Sequence, residues 1–262
     1  MSTAIFDGTK TLVSVTKLFA ELVGDGNIHF SGEGIRISSM DASHVCLMRT
    51  MLFPDCMVRY ECDEAVTVGV NFRSLHKILN SFANDSRVTL QIDDEHQDVI
   101  KIELGNDDGV HKFAMKLMEI DEDDLSIPEM SYPFEMDVPY DKFKKCIDQA
   151  ESLEAHTISF KYNGDKKLLM SYETDIVSAD LVIHSDESYS STEETRTSIA
   201  SKYPRRLFAS KPLADNVFVG MGYDLPVQFR YYINKTTSFV ELFVAPKIDD
   251  VDDDDEYSNV RE

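Results

Sequence analysis

Asp41 and His44 stand three apart in Ser39-Met40-Asp41-Ala42-Ser43-His44-Val45, so a helix or turn could carry a carboxylate and an imidazole on one face. Such a pair begins a metal site or an acid–base couple, but no second histidine or carboxylate stands beside it at ligand spacing. Asp121-Glu122-Asp123-Asp124 and the tail from Asp249 to Glu256, seven acids in eight residues, supply oxygens in number. Neither has the glycine of a calcium loop, and the first also lacks its distal glutamate. Gly32 and Gly34 fall in a turn signal rather than a phosphate-cradling loop, and no Gly-x-Ser-x-Gly elbow occurs. Cys46, Cys56, Cys62 and Cys146, with nine, five and 83 residues between them, match neither zinc nor dithiol spacing and read as free thiols of a reducing compartment. The residue chemistry points away from an enzyme, and no metal or cofactor is expected.

Positive charge is the other chemistry to weigh. The chain has 262 residues and a formal charge of −22, which by itself opposes contact with a polyanion such as nucleic acid. The charge is segregated, however. Four helical segments, Thr9 to Val23, Phe72 to Phe82, Pro139 to Glu151 and Ser201 to Lys211, together carry +7, which leaves −29 for everything else. Helices gathered on one surface would make that surface basic and the remainder acidic. The competing explanation is lysine placed for solubility, and the third segment, which sums to zero, contributes nothing to the contrast.

The elements that position these groups can be read from periodicity. Thr9 to Val23 has apolar residues at Leu12, Val15, Phe19, Leu22 and Val23, and Phe72 to Phe82 has them at Leu75, Ile78, Leu79 and Phe82, both at helical spacing. Ile28 to Phe30 and Ile35 to Ile37 flank a hairpin signal, and strands are expected at Val45 to Phe53, Ala65 to Val70, Val88 to Ile92, Val99 to Leu104 and Lys112 to Met118. The second half repeats the grammar. A strand at Phe134 to Val138 leads into a helix at Tyr140 to Leu153. Strands follow at Thr157 to Tyr162, Leu168 to Tyr172 and Ile176 to His184, then a short helix at Tyr203 to Ser210 with Pro204 in its first turn. Val217 to Met221, Val227 to Ile233 and Phe239 to Val244 close it as strands. The order predicts an α+β chain of two similar domains, residues 1–118 and 133–248, with antiparallel sheets. Residues 119–132 read as an acidic linker in which Leu125 and Ile127 are too apolar for a solvated strap. Residues 249–262 read as a disordered, self-repelling tail. No apolar run approaches the ~20 residues of a membrane helix, and no secretory leader is read at the start, so no membrane partner is expected and the sequons at Asn84 and Asn234 read as chance.

Four motifs in order become specific. Ser39 to Val45, with Gly69-Val70-Asn71 leading into Lys77-Ile78-Leu79, resembles the first domain of the proliferating cell nuclear antigen family. Met115 to Met118 followed by Leu125-Ser126-Ile127-Pro128 resembles its interdomain connecting loop, and Ala245-Pro246-Lys247-Ile248-Asp249 its C-terminal segment. The resemblance covers nearly the whole chain and implies a DNA clamp fold: three subunits in a ring, helices lining the hole, sheets outside. On that footing the chain is a sliding clamp around duplex DNA, a processivity factor for DNA polymerase and a docking platform for flap endonuclease, DNA ligase and other proteins with short interacting peptides. An ATP-driven clamp loader would open it, in a nucleus or a viral replication compartment.

The resemblance also implies roles for residues. Lys10, Lys17, Arg73, Lys77, Lys145, Lys202, Arg205 and Arg206, with Lys211, would face DNA, while Lys142 and Lys144 lie to other sides. Met40, His44, Val45, Leu47, Leu125, Ile127, Pro128, Pro226, Ala245, Pro246, Lys247 and Ile248 would form the partner-peptide pocket. Main chain near Ala245 to Lys247 would pair with the peptide as an added strand. Val110 to Leu117, including Phe113, would pair with Ile176 to His184, including Val177, Ala179 and Leu181, of the next subunit. Val13, Ser14, Ala20, Asn80 and Asp148 stand where the family usually has bases, and Tyr162, beside Lys161, stands where many members have a modifiable lysine. A related fold acting as a monomer or dimer without closing a ring is the second reading, and mass in solution separates the two.

Overall fold

The computed structural model describes residues 1–82, 86–93, 98–106, 109–121, 130–162, 167–184, 194–208, 214–233 and 235–247, with 189–191 as main chain only. The first half runs β1 (Ser2–Phe6), α1 (Lys10–Leu22), β2 (Asp25–Ser31), β3 (Gly34–Met40), β4 (Cys46–Leu52), β5 (Arg59–Cys62), β6 (Val66–Asn71), α2 (Phe72–Asn80), β7 (Arg87–Ile92), β8 (Val99–Asn106) and β9 (Gly109–Lys116). The second runs β10 (Phe134–Pro139), α3 (Tyr140–Ser152), β11 (Thr157–Tyr162), β12 (Lys167–Glu173), β13 (Ser178–His184), β14 (Tyr189–Ser191), β15 (Thr195–Ala200), α4 (Lys202–Leu207), β16 (Asn216–Met221), β17 (Val227–Tyr232) and β18 (Phe239–Val244). Among the described residues, periodicity places α1 to α4 and misses β1, β5, β14 and β15. Arg59–Cys62 and Thr195–Ala200 are too polar to stand out by composition, and their burial or exposure is set by neighbouring strands.

The repeat is complete at the level of topology. The first half forms the strand orders β5-β1-β7-β8-β9 and β4-β3-β2-β6, and the second forms β14-β10-β16-β17-β18 and β13-β12-β11-β15. Position by position the orders are the same, all of them antiparallel. The halves are not merely tethered. β18 pairs with β4 from Phe239 opposite Met51 to Val244 opposite Cys46, fusing two of these sheets into one of nine strands. β9 and β13, the counterparts of β18 and β4, are left as sheet edges.

Local chemistry explains two motif residues. Met118 runs against Gly69, its N–H donating to the Gly69 carbonyl at 2.9 Å, and a Cβ at Gly69 would lie 2.2 Å from the Met118 oxygen. Only glycine admits the connecting segment there. Asn71 caps α2, its side chain accepting from the Ser74 N–H at 2.8 Å. α1 ends at Gly24, whose φ of +85° lets its N–H reach back to the Phe19 carbonyl. Leu12, Val15, Leu18, Phe19 and Leu22 of α1, and Phe72, Leu75 and Leu79 of α2, enter the core, with Phe19 and Phe72 rings 5.0 Å apart.

Candidate nucleic-acid interface and partner surface

The four helices touch in the order α2, α1, α4, α3, so that the row crosses from one half to the other where α1 meets α4. Lys10, Arg73, Lys77, Lys145, Lys202 and Arg205 are exposed on this row, and Lys17 and Arg206 are half-buried. Several are held by groups of the chain itself. Lys17 approaches Glu21 at 3.8 Å, Arg205 meets Glu151 at 2.9 Å, and Lys144 meets Asp148 at 2.7 Å. The Arg73 guanidinium lies at the end of α1, its Nε donating to the Ala20 carbonyl at 3.4 Å, where the helix dipole favours a cation. Lys202 lies 4.6 Å from the centre of the Tyr203 ring. Lys10 shares an open cleft of about 850 Å³ with Lys235, Arg230, Asp137, Asp141 and Asp215, so its surroundings are of mixed sign. Lys211 lies outside the described residues.

Asp41, the carboxylate with catalytic potential by residue type, is a structural hub. Its Oδ1 accepts from the Val45 and Cys46 N–H groups at 2.8 and 2.7 Å. Its Oδ2 accepts from the Ser43 N–H at 3.4 Å and from the Tyr203 hydroxyl at 2.9 Å. Burial raises its pKa, and these hydrogen bonds outweigh burial to leave it below the ordinary value. The loop they shape puts His44 at φ 55°, exposed on its tip. Cys46, beneath this loop, is 2% exposed, and burial pushes its thiol up to about 12, despite the opposing fields of Arg206 and Lys202. It is an inert core thiol. Among the described residues no group of three or more His, Cys, Asp or Glu side chains could hold a metal ion.

Strand register brings together several of the residues expected at a partner surface. Met40 is opposite Leu47, and Leu47 is opposite Phe243, giving a row of side chains on one face of β3, β4 and β18. Val45 and Ala245 flank it, joined by an Ala245 N–H to Val45 carbonyl bond of 2.8 Å, and Pro226 precedes β17. Phe243 carries no signal in the sequence; its membership follows only from the pairing of β18 with β4. The Lys247 N–H donates to the Ser198 carbonyl at 2.7 Å and its Nζ reaches Thr157 at 2.5 Å, so a peptide strand added here would meet the carbonyls of Ala245 to Lys247. Leu125, Ile127, Pro128 and Ile248 lie outside the described residues. Of the residues flanking 122–129, Ile120 accepts from Asn27 through its carbonyl, and Tyr132 packs on Gly220 of β16.

Along the same strands, Glu241 lies directly opposite Arg49 of β4 and Arg230 of β17 and is completely buried. Arg230 Nε donates to it at 2.8 Å, Gln228 Nε2 at 2.9 Å, and Arg49 also pairs with it. The Phe239 ring lies 5.6 Å from the Arg49 guanidinium and 5.4 Å from that of Arg230. A buried carboxylate between two arginines spans the junction of the halves, and no sequence spacing announces it.

On the edge strands β9 and β13, Val110 is 56% exposed and Val182 51%, whereas Val240 and Leu242 of the paired strand β18 are fully buried. Phe113 packs inward against Phe82, ring centres 6.1 Å apart, and Ala179 and Leu181 are half-buried. Val177 lies just before β13 with its carbonyl bonded to the Thr174 N–H. Tyr162 is 4% exposed and packs on Phe134 with ring centres 4.9 Å apart, a core residue rather than a surface acceptor.

Two antiparallel repeats fused through a shared sheet, with a row of helices crossing the join, define a DNA-clamp fold. Residues 1–125 match the family described as proliferating cell nuclear antigen, N-terminal domain. The chain is 26% identical over 250 residues to proliferating cell nuclear antigen 2 of Drosophila melanogaster, covering 93% of this chain and 96% of that one. Its fold matches the crystal structure of the proliferating cellular nuclear antigen from Entamoeba histolytica with a TM-score of 0.87 at 21% identity, over 94% of this chain and 99% of the other. Residues 1–125 thus match that family's N-terminal domain, and the chain as a whole is similar to the two proliferating cell nuclear antigens in sequence and in fold.

Proposed function

We propose that three copies of this chain close head to tail into a ring around duplex DNA and act as a processivity factor and docking platform. The observation that carries the reading is the pairing of β18 with β4 beside the unpaired edges of β9 and β13, their repeats. Leu242 stands opposite Phe229 in its hairpin as Phe113 stands opposite Ile102, and Leu242 meets Met48 across the internal junction. Repeating that junction between copies sets Phe113 opposite Val177 of the next chain, with Ala179 and Leu181 continuing the seam. It also uses up two open strand edges, which otherwise invite uncontrolled association.

In this reading each half is a clamp domain, with residues 119–132 the connecting loop. The exposed cations Lys10, Arg73, Lys77, Lys145, Lys202 and Arg205, with Lys17, Arg206 and Lys211, face the phosphates. Contacts of this kind carry no sequence information and let the protein slide. Topological closure replaces tight binding, and the acidic remainder discourages DNA elsewhere. The Met40–Leu47–Phe243 row, with His44, Val45, Pro226, Leu125, Ile127, Pro128 and Ala245 to Ile248, receives short peptides of DNA polymerase, flap endonuclease, DNA ligase and similar partners. An ATP-driven loader opens the ring, and its setting is a nucleus or a viral replication compartment.

The deciding experiment is sedimentation of the chain at micromolar concentration, combined with retention on nicked circular and short linear duplex. A mass of three chains, with retention on circles and escape from linear ends, is expected. A monomeric mass with equal retention on both DNAs would overturn the ring.

A further inference from the structure

The two kinds of seam carry opposite charge polarity. In the seam inside the chain, the only charged residue of β18 is Glu241 and the only one of β4 is Arg49, so the five-stranded side is acidic and the four-stranded side basic. The free edges reverse this. From Gly109 to Leu117 there is no acid, only Lys112 and Lys116 beside His111. From Glu173 to Ile183 there is no base, only Glu173, Asp175 and Asp180.

The reversal is position-specific. Lys112 lies opposite Glu103 and meets it at 2.6 Å, as Glu241 lies opposite Arg230 and meets it at 2.8 Å, the same pair with its signs exchanged. Across the seam, Arg49 sits opposite Ser38 of its hairpin, and Ser178 sits opposite Glu173 in the corresponding place. Copying the internal register outward sets Lys112 opposite Ser178 and diagonal to Asp180 on the same exposed face. A diagonal neighbour is within reach of a lysine.

We infer that this exchange of signs is a pairing code, with Lys112 and Asp180 the residues that select β9·β13 over β9·β9, β13·β13 and invasion of the internal seam. β9 against β9 sets lysines against lysines, and β13 against β13 sets carboxylates against carboxylates. An edge that invades the internal seam fares no better. β9 on β4 brings Lys112 against Arg49, and β13 on β18 brings its carboxylates to Glu241. Like charges placed directly across strands are unfavourable, and such repulsion sets specificity. Of the pairings open to the two exposed edges, head to tail alone is complementary, which is the arrangement a ring needs.

The inference rests on the ring reading, and its test separates the two. Sedimentation equilibrium on the full chain would compare wild type, Asp180→Lys and Lys112→Glu/Asp180→Lys, with thermal melting of each to confirm an intact fold. Asp180→Lys should raise the concentration for half-assembly by about tenfold or more, and the double variant should recover most of that deficit. Rising salt should weaken wild-type assembly and narrow the gap between wild type and Asp180→Lys. A wild-type trimer whose assembly is unmoved by Asp180→Lys, or a double variant no better than the single one, overturns the code while leaving the ring intact. A wild type that stays monomeric throughout removes the ring, and the code with it.

Discussion

The Tyr203 hydroxyl of α4 donates a 2.9 Å hydrogen bond to the Asp41 carboxylate, joining residues 162 apart in sequence and tying the second half to the loop that carries His44. The other oxygen of that carboxylate holds the main chain of Val45 and Cys46, so one buried group shapes the loop and anchors it to the helix row. Tyr203→Phe removes one charge-assisted bond and keeps the ring; the expected decrease in unfolding free energy is about 1.5–3 kcal/mol by denaturant titration. Catalysis is not expected to enter, so Asp41→Asn should change stability without abolishing any hydrolysis.

Asp41 also sets a pH dependence. Burial raises its pKa, but the bonds from Cys46, Val45, Tyr203 and Ser43 hold it below its ordinary 3.8 in the folded chain. A depressed folded value means that its contribution is fully present above the unfolded pKa and is lost as pH falls through the folded one. The wild type should therefore lose stability in acid more steeply than Asp41→Asn, with the two profiles converging at the lowest pH. Parallel profiles would remove the assignment.

Glu241 is fully buried between Arg49 and Arg230. Glu241→Gln keeps the volume but leaves two arginines facing a neutral amide across the internal seam. The expected destabilisation is about 3–5 kcal/mol, the cost of breaking a buried ion pair by removing one partner. Equilibrium unfolding monitored by circular dichroism measures it, and a change within about 0.5 kcal/mol, the size of an ordinary surface substitution, would count against the seam lock.

For the DNA surface, Arg73→Gln with Lys77→Gln should lower the salt dependence of DNA affinity by roughly one unit of log–log slope for each phosphate no longer neutralised. Glu151→Gln should act in the opposite direction, because it releases Arg205 from its 2.9 Å ion pair. Fluorescence anisotropy on a duplex across a salt series reads both effects, and identical slopes for wild type and both variants would place the cations off the DNA.

At the partner surface, Leu47→Ala and Ile127→Ala should each weaken a bound peptide by about 1–3 kcal/mol through reduced apolar burial. Calorimetry with a partner peptide distinguishes this from loop anchoring alone, which would leave affinity unchanged.

The sequence by itself determined the helices, most strands and the segregation of charge, because period and composition report which side of an element is buried and which segments are basic. It also carried the motif residues, and Gly69 and Asn71 have local reasons that a structure makes explicit: a close backbone approach and a helix cap. Only the tertiary structure decided which strand neighbours which. Apolar content marks β18 as a strand but cannot say that Glu241 meets Arg49, 192 residues away, or that Phe243 joins Leu47 and Met40. Weakly patterned strands such as β5 and β15 escape a reading by periodicity for the same reason: their stability comes from partners distant in the chain, not from their own residues.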